Sequence, residues 1–134
     1  MQETSHLKYQ KSQYEKNYES KINQSDFPIY LYRIFVKDLG IKQATTLKEI
    51  YVEFKKLGYE LVEPEMALIT RLNYDEQEKG EWLRFATDFN VMIDSDKVPH
   101  LPKLGRALGK YFIETYWSYP DAVFHPHNDF IVKK

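Results

Sequence analysis

The chain has 134 residues, enough for one domain with its own core, and 43% of them are hydrophobic, including 11 Tyr, 8 Phe and 2 Trp. That aromatic load marks a packed globule, and the absence of cysteine excludes disulfides, thiolate metal ligation and thiol nucleophiles. Net charge is −1, so no overall basic field draws the chain to nucleic acid, yet residues 97–134 carry six Lys and Arg against three acids. No apolar run is long enough to span a bilayer, and the opening MQETSHLKYQ lacks the apolar centre of a signal peptide. The expectation is a soluble, cytoplasmic protein.

Residues 1–26 are polar, with Tyr14, Tyr18 and Ile22 spaced as on one helical stripe, and read as a mobile arm or a marginal helix. A single domain then occupies 27–134. It opens with FPIYLYRIFV (27–36), aromatic and β-branched on both faces, which predicts a central strand. In TTLKEIYVEFKKLGY, Thr46 and Glu49 form a capping box, and Leu47, Ile50, Tyr51, Phe54 and Leu57 make one stripe. Gly58 supplies the stop, so a helix is expected over 47–57.

Met66 to Tyr74 and Glu81 to Ile93 read as two strands of a long hairpin, the second alternating strictly between apolar and polar residues. Leu101, Leu104, Leu108 and Phe112 then suggest a second helix with Pro102 at its first position and Gly105 and Gly109 easing its approach to a sheet. Asp129–Val132 closes the chain as a last strand, with one more short strand possible at YELV. The order β-α-β-β-α-β implies an α+β fold: a small, mostly antiparallel barrel or an open curled sheet with two helices.

Four groups of residues carry chemistry. On the outer face of the expected hairpin, pairing Tyr74 with Glu81 sets Asn73 opposite Trp82 and Arg71 opposite Arg84. Two opposed guanidiniums repel and call for an acid such as Asp88, for cover by the N-terminal arm, or for an anionic ligand. An indole beside two arginines is also the chemistry of base stacking with phosphate contact. A second group, Lys103, Arg106 and Lys110, forms a basic ridge on the expected second helix, suited to phosphates or simply to solvent.

The third group is FHPHNDF, in which His125 and His127 with Asp129, joined by Asp94, Asp96 and His100 of DSDKVPH, would make a mixed nitrogen and oxygen shell for a divalent ion. Pro126 interrupts regular strand pairing there, and an exposed pair of histidines in a turn explains the pattern without metal. Fourth, Asp94 and Asp96 by themselves would share acid–base work or cap a turn. No Gly-x-Ser-x-Gly and no glycine-rich phosphate loop is present. The chain reads as non-enzymatic, with no cofactor expected.

Taken together, the strand FPIYLYRIFV, the capped helix TTLKEIYVEFKKLGY, the hairpin MALITRLNY…EWLRFATDFNVMI and the closing DFIVKK resemble the small PUA-like barrel proteins of Gram-positive bacteria, the PrgU type among them, in size and order of elements. The resemblance covers residues 27–134 and implies RNA binding and post-transcriptional control. The glycine-bounded strand motif typical of PUA domains has no counterpart among the five glycines, so no family residue is carried over.

The sequence thus points first to a non-enzymatic RNA-binding regulatory domain using Arg71, Trp82, Arg84, Lys103, Arg106 and Lys110. Its alternatives are a protein-interaction module, dimeric or with another partner, and a metal-dependent hydrolase centred on His100, His125, His127 and Asp94.

Overall fold

A computed structural model describes residues 29–74 and 77–134, together with the backbone of residues 5–9. Of residues 1–26, read as a mobile arm or a marginal helix, the stripe Tyr14, Tyr18 and Ile22 lies outside the described residues. The fold is α+β, with two helices and antiparallel strands arranged in open sheets.

Strand β1 (Ser5–Tyr9) and strand β8 (Asp129–Lys133) flank β2 (Ile29–Phe35), which is therefore the central strand its composition predicts. Leu31 and Ile34 of β2 and Phe130, Ile131 and Val132 of β8 are almost wholly excluded from solvent. A short 3-10 turn, Val36–Leu39, leads through Gly40 to β3 (Thr45–Thr46), which pairs with β7 (Val123–Phe124).

Helix α1 (Leu47–Lys56) starts where the capping box places it, with the Thr46 hydroxyl accepting from the Glu49 amide at 3.3 Å. The Glu49 carboxylate accepts from the Thr45 hydroxyl rather than reaching back to the cap. Gly58, at φ +86°, ends the helix: its amide bonds to Lys55 O and the next amide, Tyr59, to Phe54 O, the paired bonds of a Schellman stop. Leu47, Ile50, Tyr51 and Phe54 bury the expected stripe, whereas Leu57 is exposed.

Three expectations fail, each for a local reason. Residues 65–73 form helix α2 (Glu65–Asn73), not a strand. Met66, Ala67, Ile69 and Thr70 are its buried residues, a spacing of one, three and four that only a helix places on one side. Pro64 sits in helical conformation at its start, and Met66 N–H bonds back to Glu63 O. The pairing of Tyr74 with Glu81, and with it the opposition of Arg71 and Arg84, does not form.

The strand expected over 81–93 is likewise cut to β4 (Trp82–Arg84). Leu83 and Phe85 are buried as expected, but Val91 and Ile93 lie exposed in the loop that follows.

The second helix is a β-hairpin instead, β5 (His100–Ala107) and β6 (Lys110–Trp117). Its two-residue turn holds Leu108 at φ +52° and Gly109 at φ +73°, the positive angles that a type I′ connection requires. Leu101 and Leu104 reach the core from β5, while Leu108, expected inside, is 86% exposed at the tip.

The sheet β4-β5-β6 meets β1-β2-β8 at one parallel bridge, Phe85 to Ile131, with Ala86 N–H bonding Ile131 O at 3.0 Å. Where a strand at YELV was expected, Glu60 alone bridges to Lys133. Two apolar clusters fill the curl: Met66, Ile69, Leu83, Phe85 and Leu104 under α2, and Ile50, Phe54, Leu101, Phe124 and Phe130 under α1. In the second, Phe130 meets Phe54 and Phe124 edge to face, with centroids 6.2 and 5.0 Å apart. Among the described residues no helix is long and apolar enough to cross a membrane.

Candidate nucleic-acid interface

In an antiparallel sheet, directly opposed residues share a face. The register of β4, β5 and β6 therefore lines up two cross-strand rows on one side: Trp82, Gly105 and Phe112, then Arg84, Lys103 and Glu114. The next pair on that side is Leu101 with Tyr116. Gly105 is what lets the first row form. A Cβ at this position would stand 2.2 Å from Cζ3 of Trp82, so the indole lies across the glycine and reaches Phe112. The two rings sit with centroids 6.4 Å apart and planes 26° from parallel.

Cations are threaded between these rings. The Lys103 ammonium lies 4.6 Å from the Trp82 centroid and 5.2 Å from that of Tyr116, and the Arg84 guanidinium lies 5.6 Å from Tyr116. Such cation–π contacts hold the positive heads on the sheet surface without neutralising them. The Glu114 carboxylate stands 3.9 Å from Lys103 and is half exposed, so it pairs only loosely. Arg84 Nε is buried and has no hydrogen-bond partner among the described residues. Lys110 extends the same face toward the hairpin tip, opposite Ala107, and is exposed.

Arg71 and Arg106 belong elsewhere. Both lie over Tyr111 on the opposite face, at 4.6 and 5.1 Å from its centroid. Arg71 donates through Nη1 to Gln77 Oε1 (2.6 Å) and Gly105 O (3.2 Å), and through Nη2 to Tyr74 O (2.7 Å). Arg106 donates to Gln77 O at 2.8 Å. Burial pulls the Arg71 guanidinium below the ordinary arginine value, against the opposing influence of Tyr111, Tyr74 and Glu81. Gln77, fully buried, also bonds Glu81 O and Leu104 O, so the two arginines and this amide tie α2 to the sheet.

His100 lies apart from His125 and His127. His100 Nε2 meets Asp94 Oδ2 at 2.9 Å, and Asp94 Oδ1 accepts from the amides of Asp96 (2.8 Å) and Val98 (3.0 Å). The His100 bond, followed by that from Val98, holds the Asp94 carboxyl below its usual range. This pair edges a groove of about 490 Å³ lined by Val91, Met92, Ile93 and Thr115. His125 and His127 stack on each other, 5.6 Å apart and 8° from parallel, and both are exposed. Asp129 turns away from them to bond Arg33, which also binds Glu81 at 2.9 Å. Among the described residues, no three metal-ligating side chains converge.

Of the six residues singled out in the sequence, the structure brings Trp82, Arg84 and Lys103 together, sets Lys110 beyond them on the same face, and sends Arg71 and Arg106 to the other. Sequence reasoning missed Gly105, Phe112 and Tyr116. Reading KYFIETYW as an aromatic, alternating strand would have found the last two.

No family model, curated protein or solved structure matches the chain, which leaves its own geometry to carry the functional assignment.

Proposed function

We propose that the chain is a non-enzymatic, cytoplasmic RNA-binding domain acting post-transcriptionally, and that single-stranded RNA lies across the face of β4-β5-β6 that bears Trp82, Arg84, Lys103 and Phe112. The observation that carries this reading is the stacked Trp82–Phe112 pair across Gly105, with Lys103 and Arg84 beside it. Bases splayed on such a platform gain about 1–3 kcal/mol each by stacking, whatever their identity. On binding, Lys103 swings from the indole to a backbone phosphate and a base takes its place. A PUA-like affiliation belongs to the same proposal and is compatible with it, since the open sheet supplies the surface.

The test is a titration of labelled single-stranded and hairpin RNA at two salt concentrations, with Trp82→Ala and the double variant Arg84→Ala, Lys103→Ala alongside. Contact with two or three phosphates makes the logarithm of affinity fall against the logarithm of salt with a slope of roughly −1.4 to −2. No binding at low salt, or binding indifferent to both variants, removes the proposal.

A further inference from the structure

The cationic face of β4-β5-β6 also carries a carboxylate. By register Glu114 stands opposite Lys103, and it shares its side of the sheet with Phe112, two residues before it, and Tyr116, two residues after. Its side chain is 48% exposed, and Oε2 lies 3.9 Å from the Lys103 ammonium. An acid in this place repels phosphates and weakens contact with an RNA backbone. What it can do is accept: an ionised carboxylate has two acceptor oxygens and no donor. The position such donors would occupy is marked by Lys103, whose ammonium, itself a group of three donors, sits 4.6 Å from the Trp82 centroid and beside Glu114.

We infer that Glu114 selects guanine. This rests on the proposed RNA reading and deepens it: a base that takes the place of Lys103 over the indole presents an edge to the Glu114 carboxylate. Guanine carries N1–H and the N2 amine side by side on its Watson–Crick edge, two donors for two oxygens, which makes a bidentate, charge-assisted pair. Adenine and cytosine each set one exocyclic amine beside a ring nitrogen that accepts. Uracil sets one N–H between two carbonyls. Each of these three brings an acceptor against the carboxylate, where it is unpaired and repelled.

Lys103 and Glu114 change partners together. In the free chain each is the other's loose counter-charge. When Lys103 moves to a phosphate, Glu114 loses that partner, and guanine supplies donors to both carboxylate oxygens. The other bases leave the carboxylate short of donors beside the backbone phosphates. Trp82 and Phe112 thus hold a base of any kind, and Glu114 makes one kind preferred.

The experiment measures binding of the full chain, and of Glu114→Gln, to labelled short oligouridine and to the same probe with a single central guanosine, adenosine, cytidine or inosine. Circular dichroism verifies that the variant folds. The expected result is that the unaltered chain binds the guanosine probe roughly tenfold or more tightly than plain oligouridine. Inosine, which keeps N1–H but lacks the N2 amine, gives up most of that preference. Glu114→Gln, whose amide sets a donor beside an acceptor, binds the guanosine and inosine probes alike. The variant also binds plain oligouridine at least as tightly as the unaltered chain, because a charge that repels phosphates is gone; a merely structural role would lower every affinity together. Equal affinity for all probes, a guanosine preference that survives inosine or Glu114→Gln, or a uniform loss in the variant each overturns the inference and leaves the RNA reading in place. Failure to bind any probe overturns both.

Discussion

The indole of Trp82 rests on Gly105, and no other residue type leaves room for it there. Gly105→Ala must tilt the ring off the sheet and part it from Phe112. The expected loss is about 1–2 kcal/mol, from overpacking and broken ring contact. Tryptophan fluorescence should shift to the red, and RNA affinity should fall with little change in its salt slope. A variant with unchanged emission and stability would show that the indole does not depend on the glycine.

The two arginines that sequence reasoning set opposite each other have different work, and substitution separates them. Arg71→Ala leaves Gln77 Oε1, Tyr74 O and Gly105 O short of a donor, so it should cost roughly 2–4 kcal/mol in urea unfolding. The salt slope of RNA binding by the folded fraction should not move. Arg84→Ala should show the reverse pattern, with a shallower slope and a smaller loss of stability. Equal effects on stability would contradict this division.

Tyr51 gives a pH signature. Its hydroxyl donates to Thr87 O at 2.8 Å, and burial, with the charge of Asp88 behind it, pushes the phenol well above its usual value. A folded-state value above the unfolded one stabilises fully below about pH 10. That contribution is lost as pH rises further, at about 1.4 kcal/mol per unit. Tyr51→Phe should cost about 1–3 kcal/mol at neutral pH, because a buried carbonyl loses its donor. Its disadvantage should shrink between pH 10 and 11. A gap that stays constant over that interval would mean the phenol is not held neutral.

The aromatic and cationic parts of the sheet face should fail differently. Trp82→Ala should weaken RNA binding by about 1–3 kcal/mol at every salt concentration. Lys103→Ala should weaken it mainly at low salt and reduce the slope by about 0.7. Identical salt profiles for the two variants would argue against distinct stacking and phosphate contacts.

Helix α1 and strands β2 and β8 are legible in the sequence because propensity, patterning and burial agree there. Thr46 and Gly58 mark the two ends of one stripe, and β2, paired along both edges, carries Ile29, Leu31 and Ile34 into the core. Elsewhere local signals point both ways. Ile69, Thr70 and Leu72 suit a strand by type, but Met66 and Ala67 reach the core alongside Ile69 and Thr70 only at helical spacing, a tertiary effect that β-propensity does not foresee. In residues 100–117 the leucines at 101, 104 and 108 imitate a helical stripe. The turn is concealed because Leu108, a residue that rarely adopts positive φ, occupies the position where Asn or Gly would announce it. The site was half legible for the same reason. Trp82 and Arg84 share a face in any strand, but their neighbours come from a hairpin that read as a helix.

The central pairing of β2 with β8 brings together Arg33 and Asp129, which are 96 residues apart in the chain. Helix α1 and the β5–β6 hairpin draw on neighbours in sequence and can assemble as soon as they are synthesised. The core cannot, since Leu31 and Ile34 wait for Phe130 and Val132 to cover them. Loop-closure entropy over that span places folding in the slow, millisecond-to-second class of domains rich in non-local strand pairs. The hairpin is therefore finished while the interior is still open, and the last five strand residues of the chain, Asp129–Lys133, are the ones that close it.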